Sequence, residues 1–425
     1  MSIKRLLFYD NIRNDAVMQL AGRVLEAASG ESDSLKCTAE AEDQYYELQR
    51  RLLAALPQGD TDGSYWENYI CRLVAESENT FSIMAENGNL DPTTARLAGG
   101  DLVIIRDLFM ADWKKAADLF GDSRDCVCSL KPHFEEDGRA SVIMNVLNMD
   151  MSSPEGQKKA VDTLADYYRN NFCGTLGKYR AFIWDGKLQG VKKQDPVTFD
   201  ELIGYDTQQR QLIDNTEAFV KGRRANNVLL YGDKGTGKSS SVKALLNRFG
   251  DRGLRMINVP KSKIFDIGEI MESVAGRGCR FIIFIDDLSF EATEVEYKHF
   301  KSVLEGGVEV QPDNVLLYVT SNRRNLVKET WRDRNETEGE ININDGIHER
   351  TSLADRFGLK ITFVSPDREL YSEIVKSIAE REGLKVDEAL LLAEANKWDM
   401  RQTSRSGRSA KQFVTHLANL QHRED

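Results

Sequence analysis

Gly232, Asp233, Lys234, Gly235, Thr236, Gly237, Lys238 and Ser239 form one uninterrupted run, GDKGTGKS, that combines three glycines, two lysines and two hydroxyls. This is a full match to the P-loop pattern. Glycines at these spacings let backbone N–H groups turn inward around an anion, and a following helix adds the partial positive charge of its N-terminus. The Lys238 ammonium is expected to reach β- and γ-phosphates, and the Ser239 hydroxyl to ligate Mg2+. Ser240 carries the loop into the helix. The flanks agree with this reading, because 227–231 (NVLLY) has the composition of a strand and 240–249 that of a helix. Strand, glycine loop and helix follow in the order the chemistry needs.

A second group of reactive side chains sits at the end of an apolar run. FIIFI (281–285) reads as a buried strand and delivers Asp286 and Asp287 at its carboxyl end. Asp286 is expected to hold magnesium, directly or through a water. Asp287 stands where a hydrolytic ATPase places the carboxylate that polarises the attacking water. Glutamate is commoner there and aspartate is one methylene shorter, so the hydrolytic rate stays open while binding does not. The next strand, 315–320, ends in Ser321 and Asn322, which brings a neutral amide to the place expected for the γ-phosphate and the lytic water. Asn322 is therefore a candidate sensor.

The elements that must position these groups are legible as a pattern. Apolar strands at 228–231, 254–259, 281–285, 315–320 and 359–364 alternate with helical stretches, which predicts a parallel sheet covered by helices. After Ser365 and Pro366 the chain reads as helical to its end. Upstream, apolar residues recur at three- and four-residue spacing, as in Val17, Leu20, Val24 and Leu25, and a helical unit is expected with Trp66, Phe109 and Trp113 in its core. Between the two, alternation around Asp185-Gly186 suggests a hairpin. The expected organisation is a helical N-terminal domain over 1–175, a connector hairpin over 176–195, a nucleotide-binding α/β domain over 196–364 and a helical lid over 365–425.

Composition narrows the class. With 425 residues, 41% apolar and 29% charged, the chain is long enough for two or three real cores and lacks the marks of disorder. Its net charge is −11, and residues 1–195 hold 23 basic and 31 acidic side chains against 34 and 37 in the remainder. That balance disfavours nonspecific attraction to nucleic acid or anionic lipid, although a local basic groove stays open. No apolar run approaches a membrane span, and no signal-peptide core forms at the start, so a cytoplasmic protein without membrane contact is expected. The six cysteines are then reduced thiols. Cys126 and Cys128, with His133 downstream, could form half of a metal site, but one intervening residue is fewer than zinc pairs usually have.

Taken together, GDKGTGKS, FIIFIDD, TSN, SLADRFG (352–358) and SGRSAKQF (406–413) make residues 196–425 resemble the AAA+ superfamily. More narrowly, DPVTFDELIGYDTQ, NNVLLYGDKGTGKSS and LEGGVEVQPDNVLLYVTSNRRNL resemble the uncharacterised bacterial ATPase family known as domain of unknown function 815. The resemblance implies that Asn322 is sensor 1, that Arg356 is a finger donated to a neighbouring subunit's ATP, and that Arg408 is sensor 2 in the lid. It also implies that the segment around Leu202, Ile203 and Gly204 contacts adenine. The paired aspartates and the LADRFG box are similar to those of the bacterial replication initiator and its helicase-loading relatives, although no DNA-reading module is expected after the lid. The stretch after the second strand, 260–265, shows no aromatic pore loop, and Phe265 is expected in the core. The long polar segment 323–349, with Trp331, reads as a solvated loop or a partner contact.

The expectation for the whole is an ATP- and Mg2+-binding α/β protein, a P-loop AAA+ module with a small helical lid and a mainly helical N-terminal domain. It is expected to form a homo-oligomer and to hydrolyse ATP so as to switch or remodel a macromolecular client that the sequence does not identify. The alternatives are a nucleotide-gated binding module with negligible hydrolysis and a DNA-associated loader.

Overall fold

The computed structural model describes residues 3–29, 39–55, 63–122, 126–131, 138–290, 295–305, 311–323, 353–401 and 405–421. The chain forms two compact units, Met1–Lys178 and Tyr179–Asp425. In the first, the described residues form helices and no strand, from Asp10–Arg13 to Gly174–Lys178. Local chemistry sets several of the starts. Asp91 accepts from the N–H groups of Thr93 and Thr94 ahead of Pro92–Phe109, and Ser64 and Glu67 form a reciprocal capping box ahead of Tyr65–Ala75. Trp66, Phe109 and Trp113 are buried as expected, and the Trp66 indole N–H donates to Leu108 O at 2.7 Å. Buried Asp101 accepts from the N–H groups of Leu7 and Phe8, which ties the start of the chain to the helix Pro92–Phe109.

Cys71, Cys126, Cys128, Cys173 and Cys279 are free buried thiols, and Cys37 lies outside the described residues. No cluster of three or more His, Cys, Asp or Glu side chains that could hold a metal ion occurs among the described residues, and His133 is not one of them. Cys126 and Cys128 are both buried, and a hydrogen bond from the Cys128 thiol, with help from Tyr45, lowers the Cys126 pKa. No described helix is long and apolar enough to cross a membrane.

The second unit is built on strands β1 (Ala181–Trp184), β2 (Leu188–Gly190), β3 (Val228–Gly232), β4 (Leu254–Asn258), β5 (Arg280–Ile285), β6 (Val315–Ser321) and β7 (Leu359–Phe363). They form one sheet in the order β2-β1-β4-β5-β6-β3-β7, parallel throughout except for the β1–β2 hairpin. Every residue of β6 and all but the first of β5 are buried, the pattern of parallel strands covered on both faces. The hairpin read as a connector contains β1 and β2, and β1 pairs in parallel with β4, so it extends the sheet edge.

From β3 the chain next enters the sheet at β4, toward one edge, whereas from β6 it next enters at β7, on the other side of β3. The carboxyl ends of adjacent β3 and β6 are thus the switch point at which an open parallel sheet presents a crevice. Beyond β7, helices Arg368–Arg381, Glu388–Asp399 and Gly407–Gln421 pack around Tyr371, Ile374, Val375, Leu391, Phe413 and Val414 as a small separate core. One expectation fails: Phe265 is 46% exposed, its ring 5.0 Å from that of His299, because the short helical turn Lys261–Asp266 buries Ile264 instead. The segment 324–352, with Trp331, lies outside the described residues.

Candidate functional site

The crevice at the switch point is a cleft of about 640 Å³. Its floor is the glycine loop. Gly232, Gly235 and Gly237 all have positive φ, and Gly237 caps the helix Lys238–Phe249 from the left-handed region, so the loop can wrap where other residues would be strained. A Cβ on Gly232 would sit 1.8 Å from Phe363 O, and one on Gly235 would lie 2.8 Å from the Ser406 side chain. The loop is pinned from behind by Asp233. Its N–H donates to Phe363 O at 3.0 Å and its carboxylate accepts from Ser365 N–H at 2.8 Å, which holds that carboxyl below the usual range.

Lys238 is 6% exposed and donates to Asp233 O at 2.6 Å, Gly232 O at 2.9 Å and Asn322 Oδ1 at 3.3 Å. Burial pushes its pKa down, and the carboxylates of Asp233, Asp287 and Asp286 oppose that shift. The ammonium is therefore already directed into the loop by weak neutral acceptors that phosphate oxygens would outcompete. Ser239 Oγ donates to Asp286 Oδ1 at 2.5 Å. A hydroxyl and a carboxylate held this close, without nitrogen or sulfur, are a donor set that suits Mg2+. Asn322 Nδ2 donates to the Asp287 carboxylate, so one amide joins Lys238 to Asp287. Asp287 has φ 52, a left-handed backbone uncommon outside glycine.

The rest of the lining includes the apolar side chains of Val197, Leu202, Ile203, Tyr205, Ile374 and Ile378, with Arg381, Arg408, Lys411 and Gln412 from the helices beyond β7. Ile203 also packs against the core of those helices, and Tyr205 donates to Val364 O at 2.7 Å. Arg381 donates to Asp200 O, which joins the first of those helices to the segment leading into Leu202.

The structure brings most of the expected site residues to one cleft. Lys234, Gly235, Thr236, Gly237, Lys238, Ser239, Ser240, Asp286, Asp287, Asn322, Ile203 and Arg408 line it. Gly232, Asp233 and Gly204 do not; Gly232 leaves room for Phe363 O and Gly204 (φ +84) for the Leu370 side chain of helix Arg368–Arg381. Arg356 is exposed and outside the lining. Sequence reasoning passed over Thr320, Arg381 and Lys411, which also line the cleft. Two signals were available: Lys411 lies three residues after Arg408 on one helix face, and Ile374, Ile378 and Arg381 follow four- and three-residue spacing.

Comparison with known proteins gives the following. A family model described as Protein of unknown function (DUF815) matches residues 177–421. Over 168 residues the chain is 26% identical to the AAA-ATPase At2g18193 of Arabidopsis thaliana, which covers 37% of this chain and 33% of that protein. Among solved structures, the Thermotoga maritima RuvB Holliday junction branch migration motor matches with a TM-score of 0.38 at 18% identity, covering 53% of this chain and 65% of that chain. A variant of the same protein matches with the same TM-score at 19% identity. The chain thus spans about a third of the length of the curated relative and less than two thirds of the RuvB chain.

Proposed function

This chain belongs to the family described as Protein of unknown function (DUF815), and from that premise we propose that its AAA+ P-loop module binds ATP with Mg2+ and hydrolyses it to switch or remodel a macromolecular partner. The observation that carries the reading is the convergence of Lys238, Ser239, Asp286, Asp287 and Asn322 on one cleft at the carboxyl ends of β3, β5 and β6. The loop N–H groups and Lys238 bind the phosphates, and the apolar wall of Leu202, Ile203, Ile374 and Ile378 takes the base. Ser239 and Asp286 would hold Mg2+, which when bound neutralises charge on the phosphate oxygens. Asp287 orients and deprotonates the attacking water, and Asn322 places it. Arg408 reaches the phosphates from the lid.

Arg356, being exposed and outside its own cleft, serves a neighbouring subunit in a homo-oligomer. The same proposal takes the helical unit ahead of the module as the partner-binding part, residues 365–425 as the lid, and the cytoplasm as the location. One observation favours a second reading, a nucleotide-gated binding module with negligible hydrolysis: within the cleft, one oxygen of the Asp287 carboxylate already accepts the Asn322 amide. One measurement tests the site that both readings share, and a second decides between them. Nucleotide titration of folded Lys238→Ala should show loss of ATP affinity, and unchanged affinity refutes the P-loop site. Single-turnover hydrolysis by the wild-type chain separates the ATPase from the gated module.

A further inference from the structure

We propose that Thr320 is a positioning residue that sets both carboxylates of the Asp286–Asp287 pair, a role that rests on the ATPase reading above. The ladder between β5 and β6 ends at Ile285 opposite Val319. Past that point the chain leaves the sheet, and the two acidic residues would have no backbone partner to fix them. Thr320 supplies it with three bonds to three successive residues. Its Oγ1 donates to Asp286 Oδ1 at 2.5 Å and accepts from Asp287 N–H at 2.8 Å, and its carbonyl accepts from Leu288 N–H at 2.8 Å. A hydroxyl has one proton to give and lone pairs to receive, so both side-chain bonds are made at once. Thr320 is 1% exposed, and water does not compete for them.

These bonds account for the unusual backbone at Asp287. A left-handed aspartate persists only where its surroundings hold it, and the Thr320 hydroxyl receives the N–H that this conformation turns back toward β6. Two hydroxyls now donate to Asp286 Oδ1, that of Ser239 and that of Thr320. Ser239 is the one assigned to the metal, which leaves Thr320 to orient the carboxylate when Mg2+ is present. A residue without a hydroxyl at 320 would leave the Asp287 N–H without its partner and the Asp286 carboxylate with Ser239 as its remaining hydroxyl donor, so that the backbone carrying Asp287 and the orientation of Asp286 would both loosen.

The test compares Thr320→Val, which keeps the shape and loses the hydroxyl, with Thr320→Ser, which keeps the hydroxyl, both in the full chain. A fluorescent ADP analogue is titrated with and without Mg2+, and single-turnover ATP hydrolysis is followed in parallel. For Thr320→Val the gain in affinity conferred by Mg2+ should fall about tenfold and hydrolysis about 10- to 100-fold, the usual cost of removing a group that orients a metal ligand. Affinity without Mg2+ should stay at the wild-type value, because the glycine loop is untouched. Thr320→Ser should restore both quantities. A Val variant with an undiminished Mg2+ gain, or a Ser variant as impaired as Val, overturns the proposal. If Thr320→Val does not fold, Thr320→Ala carries the same comparison. Should the wild type bind nucleotide yet hydrolyse none, the Mg2+ arm decides alone. A wild type that binds no nucleotide removes the ATPase reading itself.

Discussion

Asp286 and Asp287 are neighbours in sequence with different surroundings. Asp286 receives the hydroxyls of Ser239 and Thr320, whereas the Asp287 carboxylate receives the Asn322 amide. Their neutral variants should therefore fail differently. Asp287→Asn is expected to keep ATP affinity and slow hydrolysis on the order of 100-fold or more, the usual contribution of a positioned general base. Asp286→Asn is expected to weaken Mg2+-dependent binding. Equilibrium titration with and without Mg2+, alongside single-turnover kinetics, checks both. Wild-type hydrolysis in both variants would remove the assignment.

Among elements, the joint between the glycine loop and β7 is the most constrained. Alanine at Gly232 would place its Cβ 1.8 Å from a main-chain oxygen at a φ of +134, where nothing flexible can yield. Gly232→Ala should cost at least about 2 kcal/mol in denaturant unfolding. Gly204→Ala should cost less, since its nearest obstacle is the end of the Leu370 side chain. The same joint carries a pH dependence. The Asp233 carboxyl is depressed by the Ser365 N–H, so its contribution is fully present above the ordinary carboxylate range and is lost as pH falls through the depressed folded value. The stability difference between wild type and Asp233→Asn should be present at pH 7 and vanish under acid, as read by thermal melts at a series of pH values.

At the scale of the molecule, the proposal that Arg356 serves a neighbouring subunit rests on its being exposed and outside the cleft of its own chain. An arginine that stabilises charge on the transferred phosphoryl group should affect turnover far more than affinity. Arg356→Ala should bind ATP as wild type does and hydrolyse it poorly. Mixed with Lys238→Ala, which keeps its finger and lacks a working loop, it should regain activity that neither shows alone. Specific activity of the wild type should also rise with protein concentration. No recovery on mixing, with flat specific activity across a demonstrated monomer-to-oligomer range, ends the trans assignment.

The glycine loop, the acidic strand end and the amide at 322 could be read from the sequence because each depends on residues adjacent in the chain: φ > 0 needs glycine, and a buried parallel strand needs an apolar run. The alternation of strands and helices was legible for the same reason. The strand order was not, since register and neighbours are settled by which faces bury together; nor was the pairing of β1 with β4, which makes the expected connector part of the sheet. Phe265 reads as core by its type, yet one helical turn decides that Ile264 points inward and Phe265 outward. Thr320 stands in the TSN run, but nothing in that run shows its role, since its three bonds arise only where β6 outlasts its pairing with β5. Residue type and spacing say which chemistry the chain can perform, whereas contacts between residues distant in sequence decide which oxygen and which N–H meet, because hydrogen bonds are made only at short range and in one geometry.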